Sequence, residues 1–409
     1  MLRSCTVTSF TTRSLGPHPR DNISAAAVYC SEGIALAHEM RIVFALHVIS
    51  FFSTAGAMLN FMARMEPIGR PLLERYCANS GFTPSITFEA DEESEQLQLR
   101  VWRWISACTS DLVLSQPRVL ALPALEPPQL NALVEMAEPH LALTTLPPDA
   151  PIGGLLQIEP PAQTVAAEVL PIDRPATVGR MQAWVARTLT PEGLRFCPYT
   201  GSESVSGTGL EGSGITPAPI AYHIATGTSI PQLLETFWEA CIAMLEGGEE
   251  GCSSIILAAP GFDEQWETWC RVVFPCLEAS LLASGRGRDL GIVCFHPEYV
   301  TPSEEWLARH RFGHMHSTSR LRGYVEQHDQ QLSEATDDES LAWAGAYQRR
   351  SPHAMINVLW SRQLEVAETK RKSSSLYTRN IERALSAGRG ALEQAAAAER
   401  GRGAARRAE

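Results

Sequence analysis

Residues able to carry out chemistry occur in four short, widely spaced blocks in the C-terminal half of the chain. The blocks are Phe196-Cys197-Pro198-Tyr199, Phe295-His296-Pro297-Glu298-Tyr299, Arg350-Ser351-Pro352-His353-Ala354-Met355 and Tyr377-Thr378-Arg379-Asn380-Ile381. In the second block, His296 could act as a general acid or base, because imidazole titrates near neutral pH. Tyr299 could contact the same ligand. The alternative is a histidine that bonds a backbone carbonyl and stiffens a turn.

The third block has the features of an anion site. Ser351 followed by Pro352 is typical of a helix start, with serine as the N-cap and proline in the first turn. A helix N-terminus offers free N–H groups and a partial positive charge. Arg349 and Arg350 would add two guanidinium groups beside it. The alternative is simple capping with solvated arginines.

Two further candidates come from the first and last blocks. Arg379 and Asn380, predicted near the start of the last helix, could hold an anionic ligand or be ordinary surface residues. Cys197 follows a helix and could be a reactive thiol if its pKa were lowered. The alternative for Cys197 is a structural cysteine.

The sequence predicts no metal site and no cofactor. His310, His314 and His316 have metal-like spacing, but Gly313 and the polar surroundings disfavour an ordered site. The glycine run at 207–212 has neither a strand before it nor a helix after it, as a dinucleotide fingerprint requires.

The pattern of strands and helices expected around these residues predicts an α/β fold. Strands are expected at Ile220–Ala225, Ser254–Ala258 and Gly291–Phe295, with amphipathic helices between them. The order predicts a three-layer βαβαβ core with a mainly parallel sheet and flanking helices. Ligands bind at the carboxyl edge of such sheets, so the site should lie there, with His296 at one strand end.

The chain divides into four parts by composition. Residues 1–65 are predicted to be a targeting sequence or a membrane anchor, because the start is arginine-containing and acid-poor and 42–62 is apolar. An ordinary buried helix at 42–62 is the alternative. Residues 66–175 are a Pro-rich, weakly structured N-terminal extension, 176–390 the α/β domain with an insertion at 300–346, and 391–409 a low-complexity tail.

Charge and cysteine usage limit the partners and the compartment. A net charge of −12 over 409 residues argues against general nucleic-acid binding. The 10 cysteines include no C-x-x-C pair and are expected to be reduced. An organelle is the expected location, with a plastid favoured over a mitochondrion and a membrane anchor as the alternative. Membrane association is expected only if 42–62 is retained.

Taken in order, the blocks resemble an uncharacterised family of bacterial and plant-type proteins, a domain of unknown function, over about residues 178–390. Its motifs resemble N-L-C-P-F-A, T-T-L-L-I-H-P, F-H-P-x-Y, N-R-S-P-Y-P-M and E-R-N-I, and Phe295–Tyr299 matches the third in full. Three positions depart from this pattern. Ala259 and Asn357 stand where the family has histidines, and Arg349 replaces the first asparagine of N-R-S-P. The resemblance implies the fold and the site position, and not the substrate.

Two functions fit these observations. The first is a small-molecule enzyme or binding protein for an anionic ligand at the strand carboxyl edge, held by Arg349, Arg350, Ser351, Arg379, Asn380 and Tyr299. The second is a non-catalytic organellar assembly or regulatory module, in which the blocks stiffen turns and the insertion contacts a partner. The sequence does not decide between an enzyme and a binding protein.

Overall fold

The computed structural model describes residues 85–88, 96, 98–103, 118–121, 143–145, 155–158, 168–309, 316–370 and 372–405. The predicted targeting or anchor segment, 1–65, lies outside these residues. Within them, no helix has both the length and the apolar character needed to cross a bilayer.

Four short strands form a small sheet in the Pro-rich segment that was predicted to be weakly structured. They are β1 (Ser85–Phe88), β2 (Arg118–Ala121), β3 (Leu143–Thr145) and β4 (Leu155–Ile158), in the order β1-β2-β4-β3. Residues 98–103 are helical. Leu99, Val101 and Trp102 of this segment are buried in a core that also includes residues of the main sheet.

The main sheet has five strands in the order β5-β6-β7-β9-β8. They are β5 (Val205–Ser206), β6 (Ala218–Ile224), β7 (Ser254–Ala258), β8 (Leu290–Phe295) and β9 (Met355–Trp360). Only the β6–β7 pairing is parallel, and the other three are antiparallel. The expected α/β class is confirmed, but the mainly parallel sheet predicted for it is wrong.

The difference comes from β9, which lies between β7 and β8 where the sequence predicted a helix starting at Ser351. All six residues of Met355–Trp360 pair with β8, and all but Trp360 also pair with β7. These pairings give the backbone N–H and C=O groups on both edges of β9 hydrogen-bond partners. The resulting stabilisation outweighs the local tendency of Pro352 to start a helix. Because β9 is antiparallel to both neighbours, β6, β7 and β8 still run in one direction. Their carboxyl ends meet at one edge, as expected.

Ten helices are described from Arg174 onwards, apart from 3₁₀ and other short turns. They are α1 (Arg174–Thr188), α2 (Ile230–Gly251), α3 (Phe274–Ala283), α4 (Glu304–Arg309), α5 (Thr318–His328), α6 (Gln330–Ala335), α7 (Asp338–Tyr347), α8 (Ser361–Lys370), α9 (Ser373–Ala387) and α10 (Arg389–Ala405). A π turn at Trp269–Val273 leads into α3. Ser229 and Gln232 form a capping box at the start of α2.

Alternating residues of the strands build hydrophobic cores on both faces of the main sheet. Ile255 and Leu257 pack with residues of α2 and α3. Ile256 and Ala258 pack on the opposite face with residues of α1, α5, α7 and α9. The described parts of the insertion 300–346 are largely helical and contribute to the core. The tail from 391 continues as α10 to Ala405, with Leu392 buried.

Candidate functional site

A cavity lies over one face of the main sheet and gathers residues from three of the four sequence blocks. Its empty volume is about 1090 Å³, part of which is open solvent. The strands contribute Ile220, Ile256 and Val293, and the helices α8 and α9 contribute Leu364 and Leu376. These side chains make most of the wall apolar, as is usual for small-molecule sites.

Besides Asn380, three carboxamide side chains interrupt this apolar wall: Gln348, Asn357 and Gln363. Each has a buried polar atom without a hydrogen-bond partner among the described residues, namely Gln348 Nε2, Asn357 Oδ1 and Gln363 Nε2. Sequence reasoning assigned no function to any of them. One signal was present for Asn357, which is the single strongly polar residue of the β9 sequence Met355–Trp360.

Arg349 places a buried guanidinium group in the same wall. Its Nη2 donates to the Tyr377 hydroxyl at 2.7 Å, and its Cζ lies 5.6 Å from the Phe295 ring centroid. Burial opposes the charge, but the neighbouring hydroxyls of Tyr377 and Tyr299 outweigh it and raise the Arg349 pKa. The cavity therefore contains a permanent positive charge within an aromatic surround.

The block at Phe196–Tyr199 forms another part of the wall, including the free thiol of Cys197, which is partly exposed. Asn380 Nδ2 donates to the Phe196 carbonyl at 3.0 Å, and Arg379 Nη2 donates to the Arg195 carbonyl at 2.8 Å. Both residues lie in the middle of α9, so their predicted position near a helix start is wrong. They anchor a loop, in which Arg195 has a φ of 52°.

His296 lies at the carboxyl end of β8 and is fully buried. Its Nδ1 accepts from the Glu298 N–H at 3.1 Å, so Nε2 must carry the proton that it donates to the Phe262 carbonyl at 2.9 Å. The Trp266 and Trp269 rings lie against it. Burial lowers the His296 pKa, which favours the neutral ring. This is the geometry of the turn-stiffening alternative, and His296 does not line the cavity.

The remaining predicted ligand residues lie elsewhere. Tyr299 is buried against Trp266, at 5.0 Å between ring centroids. Arg350 and Ser351 line a second, smaller pocket of about 420 Å³ together with Glu399. Ser351 does not cap a helix, because its hydroxyl donates to the His353 carbonyl at 2.5 Å within the turn before β9. The predicted site residues are thus divided between several places.

A cluster that the sequence reasoning missed joins the strand ends at the carboxyl edge. His353 Nδ1 lies 2.7 Å from Asp263 Oδ2, and Asp263 Oδ1 accepts from the Ala354 N–H at 2.8 Å. Arg180 Nε donates to His353 Nε2 at 3.0 Å, which places the imidazole proton on Nδ1. The contacts join residues 90 or more positions apart, so no local pattern could indicate them.

Comparison of the chain with protein-family models, with curated proteins and with solved structures found no match. In the part of the chain that the structure describes, no group of three or more His, Cys, Asp or Glu side chains is arranged to hold a metal ion. Two of the three histidines with metal-like spacing, at positions 310 and 314, lie outside the described residues.

Proposed function

We propose that this protein binds a small molecule with an apolar body and an anionic head in the cavity over the sheet face. The observation that carries the proposal is the buried cation of Arg349 in an otherwise mainly apolar wall. An apolar body would be held by side chains such as Ile256 and Leu364, and a carboxylate would pair with the guanidinium. The sequence predicted an anionic ligand at the edge of the sheet. We propose the same kind of ligand, but in the cavity over the sheet face.

The proposal is a binding function and includes no reaction. His296, the expected acid or base, has both ring nitrogens bonded to backbone groups. The assembly or regulatory alternative makes no use of the cavity, and ligand binding would distinguish the two. The organellar location and the resemblance to the uncharacterised family stay predictions, and ligand binding depends on neither.

The first test is thermal unfolding of the protein with decanoate and with decanol. Decanoate should raise the melting temperature in a concentration-dependent way, because a ligand that binds only the folded state stabilises it by mass action. Decanol should bind about tenfold or more weakly, since it lacks the charge for Arg349. Absence of any shift with decanoate would contradict the proposal.

Two pairs of variants locate the site. Arg349→Gln should remove the preference for decanoate, whereas Arg320→Gln should keep it, although Arg320 likewise bonds a tyrosine hydroxyl, that of Tyr324. Ala367→Trp should fill the cavity from α8 and abolish binding of both ligands. Its control is Glu365→Trp on the same helix, because Glu365 is exposed and does not line the cavity.

A further inference from the structure

The second, smaller pocket lies where α10 meets the turn before β9, and charged side chains make up most of its lining. Its empty volume is about 420 Å³, part of which is open solvent, and it shares no lining residue with the cavity over the sheet. The lining includes one more positive than negative side chain, namely Arg187, Arg350 and Arg400 against Glu393 and Glu399.

Arg187 and Glu399 neutralise each other and offer nothing to a ligand. Arg187 Nε and Nη2 donate to the two Glu399 oxygens at 2.5 and 2.9 Å, and its Nη1 donates to the Tyr347 hydroxyl at 2.6 Å. Every nitrogen of this guanidinium group therefore has a partner. The excess positive charge of the pocket lies with the other two arginines.

Arg350 presents the end of its guanidinium group without a hydrogen-bond acceptor. Its Nε donates to the Tyr299 carbonyl at 3.3 Å, and its own carbonyl accepts from Trp184 Nε1 at 2.8 Å, which hold the residue in place. Arg350 Nη1 lies 3.9 Å from Glu393 Oε1, too far for a hydrogen bond. The side chain lines the pocket and is 29% exposed, so a ligand can reach it.

The carboxylate nearest to Arg350 is occupied by other donors. Glu393 Oε1 accepts from Trp343 Nε1 at 3.2 Å and from Arg389 Nε at 3.1 Å. Burial lowers the Arg350 pKa, and the charges of Arg389 and Arg400 lower it further, against the opposite effect of Glu393. Because the guanidinium group nevertheless stays protonated, its surroundings lack negative charge.

A phosphate group would supply this charge in a suitable geometry. Two of its oxygens can accept parallel hydrogen bonds from Arg350 Nη1 and Nη2, and a further oxygen remains for Arg400. A carboxylate has only two oxygens, and a bidentate pair with one arginine uses both. The pocket also has room for a small organic group attached to the phosphate.

We propose that the second pocket is a binding site for a phosphate group, either inorganic phosphate or the monoester of a small alcohol, with Arg350 as its main contact. The site goes beyond the proposed function, because it lies outside the cavity over the sheet and involves a ligand without an apolar body. Glu393 opposes binding, since its carboxylate repels the phosphate and attracts Arg350.

The first test is isothermal titration calorimetry of the full chain with inorganic phosphate, glycerol 3-phosphate and acetate at constant ionic strength. We expect both phosphates to bind, and acetate to bind about tenfold or more weakly. Tighter binding of glycerol 3-phosphate would identify a monoester as the ligand, and tighter binding of inorganic phosphate the free ion. Absence of saturable binding of both phosphates at millimolar concentration, or equal binding of acetate, would overturn the proposal.

Arg350→Gln should lower the affinity for phosphate about tenfold or more, because it removes a charged, bidentate contact. The matched control is Arg362→Gln, which removes the same charge from an exposed arginine outside the pocket and should leave the affinity unchanged. Equal affinities of the two variants would overturn the role of Arg350.

Glu393→Gln provides a test that loss of folding cannot imitate, because it predicts a gain. The glutamine oxygen can still accept from Trp343 Nε1, while the charge that repels the phosphate is gone. The affinity for phosphate should rise about threefold or more. Glu382→Gln removes the same charge from an exposed position outside the pocket and should show no such gain. An unchanged or lower affinity of Glu393→Gln would overturn the proposal, even if Arg350→Gln does not fold.

Discussion

At the scale of single residues, hydrogen-bond partners decide what a histidine can do. His296 uses Nδ1 to accept from Glu298 N–H and Nε2 to donate to the Phe262 carbonyl. Protonation of Nδ1 would break the first bond in a site with no exposed surface. The residue therefore fixes the turn after β8, and its neutral form belongs to the folded state.

A pH dependence of stability follows from the lowered pKa of His296. Below about pH 6.5 the unfolded chain binds a proton at this position that the folded chain does not, so unfolding becomes easier as pH falls. Above that pH the contribution to stability is complete. Between pH 8 and pH 5.5, the unchanged protein should lose about 1 kcal/mol more stability than His296→Gln, as measured by urea unfolding.

The control for this comparison is His328→Gln. His328 is exposed, and its Nε2 lies 2.8 Å from the hydroxyl of Ser374. Its variant should follow the pH dependence of the unchanged protein. If His296→Gln follows it as well, the assignment of this titration to His296 is wrong.

At the scale of elements, α9 holds the loop that carries Cys197. Asn380 and Arg379 donate to the carbonyls of Phe196 and Arg195, and Arg383 donates to that of Leu194. These bonds satisfy carbonyls that follow α1 in a loop with a left-handed residue. The geometry of the cavity wall at this point therefore depends on the helix rather than on the loop itself.

Asn380→Ala should loosen this loop and expose Cys197. Loss of one buried hydrogen bond costs about 1 kcal/mol, so we expect alkylation of Cys197 by iodoacetamide to become about fivefold faster. Peptide mass spectrometry would identify the modified residue. Among the described residues the other cysteines are buried, namely Cys241, Cys252, Cys270, Cys276 and Cys294.

Glu382→Ala is the control on the same helix, because Glu382 is exposed. Its Cys197 should react at the rate of the unchanged protein. Equal rates in both variants would show that Asn380 does not control access to the thiol.

At the scale of the whole molecule, α10 packs back onto α1 through an ion pair. Arg187 Nε and Nη2 donate to Glu399 Oε1 and Oε2 at 2.5 and 2.9 Å, and Arg187 Nη1 donates to the Tyr347 hydroxyl at 2.6 Å. Glu399 is 5% exposed. Burial opposes the charge of Arg187, but Glu399 and Tyr347 outweigh it and raise its pKa.

A double-mutant cycle should show that this pair couples α10 to the domain. Arg187→Ala or Glu399→Ala alone should destabilise the fold by about 3 kcal/mol, since each leaves a buried charge unpaired. The destabilisation of the double variant should be smaller than the sum of the two single-variant destabilisations by at least about 1 kcal/mol, as measured by urea unfolding.

The matched cycle uses Arg362 and Glu249, which form an ion pair with the arginine 53% exposed. Its coupling energy should stay within about 0.5 kcal/mol. If the coupling energy of Arg187 and Glu399 is as small as that of the exposed pair, these two residues do not hold α10 to the domain.

The sequence by itself determined the elements that depend on local patterns. The apolar runs at Ser254–Ala258 and before His296 became β7 and β8, and Ser229 with Gln232 capped α2. These features need only a hydrophobic period or a cap within a few residues, so they can be predicted without a partner. The common direction of β6, β7 and β8 followed from the helical connections between them.

Tertiary structure alone decided the sheet order and the location of the candidate site. β9 is a strand because β7 and β8 offer hydrogen bonds to both its edges, which overrides the local helix signal at Pro352. The cavity forms where Asn357 of β9, Gln363 of α8 and Arg349 in the segment before β9 line the same space. Such contacts arise from packing between elements, and no spacing along the chain encodes them.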